Sequence, residues 1–114
     1  MKASQITDEK ARRIIKNVIS DMLGKYNLKC RRMVLFGSRA RGESREDSDW
    51  DVLVIVEGSL SRKIKREITA LIRMELARYR ILSDIILQTA NEVERKKDDV
   101  GYLVHYALKE GVDL

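Results

Sequence analysis

Asp49 and Asp51 flank a tryptophan in "SDWD", where a β-branched run ending at Val56 begins. A carboxylate beside a buried strand must be desolvated unless something pairs with it, so acids in that position call for a partner. Alternate side chains of an extended chain share a side, which puts Asp49 with Asp51 and Trp50 opposite. Two like charges on one side repel each other, and a divalent cation relieves the repulsion. Mg²⁺ suits such a pair because it binds through one or two carboxylates together with water and substrate phosphates. Asp84, a lone acid inside the apolar run "ILSDIILQT", is a candidate third ligand from a neighbouring strand. Three acids around one point would support two ions about 4 Å apart, which stabilise both the attacking and the leaving oxygens of a phosphoryl or nucleotidyl transfer.

The chain supplies what a phosphate needs ten residues earlier, in "GSRARG". Gly37 allows close backbone approach after a strand, and Ser38 adds a hydroxyl donor. If the segment opens a helical turn, its free N–H groups face an incoming anion. Arg39 and Arg41 are either charge-assisted phosphate contacts or surface ion-pair partners of Glu43 and Glu46. Two other motifs fail on the same residues. Glu43 stands where a P-loop carries its phosphate-binding lysine. An EF-hand loop starting at Asp47 would need glycine at Val52 and glutamate at Gly58.

These residues need elements to hold them. From Asp8 to Tyr26 apolar residues recur at helical spacing, with Thr7 or Asp8 as the cap. Cys30 to Phe36 is a short apolar run that Gly37 ends, and Trp50 to Val56 reads as a strand buried on both faces. Ser59 or Ser61 caps a second long helix whose apolar side includes Ile64, Ile68, Ile72 and Leu76. Ile81 to Thr89 is a third strand, and Thr89 with Glu92 forms a capping box that opens another helix. Val100, Leu103, Val104, Ala107 and Leu108 make a last amphipathic set, which Gly111 terminates. The order helix, strand, strand, helix, strand, helix predicts an α/β (α+β) fold with a small mixed β-sheet packed against helices.

The chain has 114 residues, which predicts one domain spanning 1–114 with a single core. No apolar run approaches a membrane span and "MKASQITDEK" lacks the apolar centre of a secretory signal, so a cytoplasmic protein is expected. One cysteine, Cys30, excludes an intrachain disulfide, and with one histidine the chain cannot build a zinc site. The net charge is +5, yet the basic residues are scattered and aromatics are few, which argues for solvated helix faces against direct nucleic-acid binding.

Gly37-Ser38, ten residues, Asp49, one residue, Asp51 resembles the signature of the polymerase-β-like nucleotidyltransferase superfamily. "ARG" at Ala40 to Gly42 and "SDWD" are also typical, and over nearly its whole length the chain is most similar to the minimal nucleotidyltransferases. The resemblance implies the nucleotidyltransferase fold. It implies Mg²⁺ on Asp49 and Asp51, with Asp84 completing the triad as ligand and base, and the triphosphate of ATP on Gly37 and Ser38. It further implies an antitoxin paired with a HEPN-domain toxin, modified by AMP transfer to a tyrosine or neutralised by binding alone. Larger relatives carry a second domain for the acceptor. At this length another chain is expected to complete the site, either a macromolecular acceptor or a second copy in a homo-oligomer, in preference to a free-standing small-molecule transferase.

Overall fold

The computed structural model describes residues 6–45 and 47–114. The ion pairs expected of Glu46, and the five residues that open the chain, lie outside the described residues. Helix α1 spans Asp8–Lys25, and Thr7 caps it by accepting the Lys10 N–H at 3.1 Å. Strand β1 is Cys30–Phe36, a short helix α2 covers Ser38–Arg41, and strand β2 is Trp50–Val56. Helix α3, Arg62–Arg78, starts at the Ser61 cap and leads to strand β3, Ser83–Thr89. Helices α4, Ala90–Lys96, and α5, Leu103–Glu110, precede a two-residue strand β4, Val112–Asp113.

The sheet order is β3-β2-β1-β4. β1 runs antiparallel to β2 and to β4, whereas β2 and β3 are parallel. A parallel pair cannot be closed by a tight turn, and α3 supplies the crossover. The pleat then divides the core in two. Val52, Val54 and Val56 face α1 and α3, where Ile15, Ile19, Ile68, Ile72 and Leu76 are fully buried. Leu53 and Ile55 face the other way, onto Val93 of α4 and Val104 and Ala107 of α5. Covering both faces accounts for the uninterrupted apolar run of β2.

Two features depart from the expected elements. β3 begins at Ser83 and not at Ile81, because the Ile81 N–H is taken by Leu76 O at the end of α3, with Arg80 at φ 61° turning the chain. β4 was not expected. It forms because Gly111 ends α5 against the sheet, where a β-carbon would overlap Val34 and the Ala107 carbonyl, and Arg32 Nε donates to Asp113 Oδ1 at 2.7 Å. The helical turn considered for this segment does form, as α2, a single turn that closes on Gly42 in the left-handed conformation.

The capping box at Thr89 is present in both directions, and Glu92 also pairs with Lys65 of α3. Thr89→Ala removes the cap of a helix that covers half of one sheet face. It should cost about 1 kcal/mol, read as a lower midpoint in urea unfolding at unchanged slope.

Candidate active site

The site is built where β1 and β2 end side by side. Gly37, at φ 75° and ψ −159°, turns the chain off β1, and its carbonyl accepts from the N–H groups of Ala40 and Arg41 at 3.1 and 3.2 Å. That bend sets Ser38 at the first position of α2, where main-chain N–H groups have no intrahelical acceptor. A side chain at residue 37 would overlap the Asp51 carboxylate, so the turn and the acid are in direct contact.

Asp51 stands across from Phe36 in the β1–β2 register and from Asp84 in the β2–β3 register. Register partners share a face, so the two acids lie side by side on the α4/α5 side of the sheet, at the edge those helices leave open. Trp50 is 4% exposed on the opposite face, packed in the α1/α3 core. Burial raises the Asp51 pKa above the ordinary carboxylate value, the negative charges of Asp84 and then Asp49 raise it further, and the Arg41 guanidinium opposes them. All three acids therefore act on one point.

Among the described residues no three carboxylate, thiolate or imidazole groups already close into a metal cage. The donor set nevertheless fits Mg²⁺. It consists of hard oxygen donors whose mutual repulsion an ion would remove, and Mg²⁺ takes few protein ligands when substrate phosphates supply the rest.

Arg41 and Arg39 separate. Arg41 stays on the acid side, half-exposed, 3.4 Å from Glu43 and 3.9 Å from Glu110, so the expected pairing with Glu43 and a field on Asp51 both occur. Arg39, expected with it as a phosphate contact, is placed elsewhere. Its side chain is 9% exposed, its guanidinium lies 4.5 Å over the Trp50 ring, and it donates to the Ser48 carbonyl at 2.8 and 3.2 Å. The spacing that puts one arginine over the acids turns the other, two residues earlier on a helical turn, to the far side. There it pins the segment that delivers Asp49. Ser48 was not singled out from the sequence, since its role is played by a main-chain carbonyl that any residue carries.

Arg39→Lys keeps the charge but loses the planar fork and the stack. It should destabilise by about 1–3 kcal/mol, read as a lower melting temperature than that of the native protein.

A family model for the nucleotidyltransferase domain matches residues 12–113. The chain belongs to the nucleotidyltransferase family. Two relatives from Methanocaldococcus jannaschii carry the name "Putative protein adenylyltransferase". One is 36% identical over 74 residues, covering 65% of this chain and 71% of the relative. The other is 38% identical over 50 residues, covering 44% of this chain and 47% of the relative. A crystal structure of a toxin-antitoxin with AMP-PNP contains a chain with the same fold, at a TM-score of 0.57 and 18% identity, covering 86% of this chain and 70% of that one. In this nucleotidyltransferase the Gly37–Ser38 bend and the Asp49–Asp51 pair occupy neighbouring strand ends, 84 follows on the third strand, and the sheet is mixed, with helices on both faces.

Proposed function

We propose that this nucleotidyltransferase moves AMP from ATP to a hydroxyl of a partner protein, a tyrosine of a HEPN-type toxin, and so acts as its antitoxin. The observation that carries the reading is the convergence of the Asp49 and Asp84 charges on Asp51, directly against the Gly37 bend. The names of the two archaeal relatives support adenylyl transfer to protein. The toxin partner rests on the resemblance of the motif, and the solved toxin-antitoxin chain of the same fold is in keeping with it.

Gly37 lets the main chain turn directly against Asp51, Ser38 donates its hydroxyl and N–H to phosphate oxygens, and Arg41 offsets their charge. Asp49, Asp51 and Asp84 would hold Mg²⁺, which when bound would stabilise the charge that develops on the attacking and leaving oxygens. On this reading Asp84, which is exposed and registers with Asp51, takes the proton of the acceptor hydroxyl. The acceptor oxygen forms its bond to the α-phosphorus while the bond from that phosphorus to the bridging oxygen breaks. The electron pair leaves with pyrophosphate.

Among the described residues no helix is long and apolar enough to cross a membrane. A cytoplasmic location is part of the proposal. The test is to read the neighbouring gene for a HEPN-type protein, incubate that protein with the chain, ATP and Mg²⁺, and weigh the partner intact. Addition of AMP to a tyrosine is expected; an unmodified partner rejects the reading.

A further inference from the structure

The two edges of the sheet, β4 and β3, are finished differently. β4 is two residues long and Arg32 of β1 pairs with its Asp113, so that edge is short and charged. β3 offers seven residues, Ser83–Thr89, of which Asp84 alone is charged. A strand at a sheet edge presents main-chain donors and acceptors to any second strand, and proteins discourage pairing there with short strands, lysines or prolines. β3 carries neither lysine nor proline. Beside its start Met74 and Leu82 are 66% and 59% exposed although apolar.

The ladder fixes which groups face that edge. The Trp50 N–H donates to the Leu82 carbonyl at 2.9 Å, and along a parallel pair residues alternate between bonding their neighbour and turning away from it. Asp84, Ile86 and Gln88 therefore turn their main chain to β2, whereas Ser83, Ile85 and Leu87 turn theirs outward. Gln88 folds its own amide back onto the outward Leu87 carbonyl at 3.2 Å. Its Oε1 accepts from Lys96 Nζ of α4 at 3.1 Å.

We propose that β3 pairs antiparallel with β3 of a second copy of this chain, about a twofold axis at Ile86, joining the two sheets edge to edge. A twofold interface sets one surface against itself and must be self-complementary. Ile86 is the middle residue of β3, so this axis overlaps the whole strand. Ile85 of each copy exchanges main-chain hydrogen bonds with Leu87 of the other, and the Gln88 amide is released from the Leu87 carbonyl. The charges select the same axis. Centred on Ile86, Asp84 stands opposite Gln88 of the second copy, whose released amide donates to it and whose Lys96 brings a positive charge close by. An axis one residue earlier, at Ile85, would set the two Asp84 side chains at diagonal positions roughly 7–8 Å apart, where they repel. A carboxylate has two oxygens, so Asp84 accepts this bond with one and keeps the other for the site beside Asp51. The second copy thereby adds a residue to the site, and the pairing itself does not depend on the adenylyltransferase reading.

Sedimentation equilibrium of the full chain is expected to give twice the 13.2 kDa of one copy. Ile86→Cys, in a Cys30→Ser background, tests the axis. Mild oxidation should link residue 86 to its own counterpart, because facing residues of a non-hydrogen-bonded antiparallel pair bring their Cα atoms to about 4.5 Å, within disulfide range. Gln88→Cys in the same background should stay unlinked, since its counterpart lies four residues further along the second strand, about 13 Å away. Gln88→Glu keeps the shape and the Lys96 contact but sets like charges opposite each other twice, and should weaken dimerisation about tenfold. It leaves the part-buried Ile86 in place, so it tests the pairing even if the cysteine variant fails to fold. A mass of 13.2 kDa at the highest soluble concentration, linkage at residue 88 equal to that at 86, a folded Ile86→Cys dimer that does not link, or an undiminished dimer in Gln88→Glu would each overturn the assignment. The catalytic reading fails separately, by native AMP transfer in Asp51→Asn, a variant that should dimerise as the native chain does.

Discussion

Asp51→Asn is expected to lower AMP transfer by about a thousandfold or more, equivalent to roughly 4 kcal/mol of transition-state stabilisation, while the melting temperature stays level or rises. Asparagine keeps the shape and removes the charge that an ion would bind. The stability arm follows from the raised pKa of Asp51. A carboxyl that holds its proton more tightly folded than unfolded makes its full contribution to stability below its ordinary value of 3.8, and that contribution is lost as pH rises through the folded value. At neutral pH the native protein therefore bears the cost of charging Asp51 beside Asp84 and Asp49, and the asparagine variant does not. The variant's advantage should be present at pH 7 and vanish below pH 3.8. Mg²⁺ should raise the melting temperature of the native protein, since whatever binds only the folded state stabilises it, and should do so far less for the variant. A structural acid would show the opposite pattern, with lost stability and no loss of chemistry beyond it. If transfer disappears and the proposed toxin partner is still neutralised, covering that partner is sufficient and catalysis is not required.

What the sequence disclosed about this site was whatever is local. The bounds of β1 and β2 follow from apolar runs that stop at Gly37 and Val56. The caps at Thr7 and Ser61 and the box at Thr89 are side-chain bonds to main chain three residues away, so spacing narrows each cap to two neighbouring candidates and reveals the box outright. Asp84 is different. A lone acid in an apolar run says nothing of which residue it will face, and its place beside Asp51 is fixed by the parallel register that α3 allows. The same holds for Arg39, whose destination depends on a tryptophan eleven residues away, and for β4, whose two residues are too few to carry a period.

Gly37→Ala is expected to lower both stability and activity, and the joint loss distinguishes it from Asp51→Asn. At φ 75° and ψ −159° residue 37 occupies a region that is nearly closed to any residue with a β-carbon, at a cost of about 1–3 kcal/mol. A loss near 2 kcal/mol corresponds to a melting temperature lower by roughly 10 °C in a domain of this size. The backbone penalty is only the first effect, since the added methyl overlaps the Asp51 carboxylate and one of the two must move. If the carboxylate gives way, the point on which Asp84 and Asp49 act shifts; if the bend gives way, Ser38 no longer opens α2 where a phosphate would meet it. Misplacement of about 1 Å is enough to cost on the order of a hundredfold in rate, so AMP transfer should fall by at least that factor even at temperatures where the variant is fully folded. The double variant Gly37→Ala with Asp51→Gly supplies the control. Removing the carboxylate relieves the overlap and leaves the backbone strain, so it should recover part of the melting temperature and none of the transfer. A single variant that melts low but transfers AMP at the native rate when folded would show that the contact between the bend and the acid serves the fold and not the chemistry.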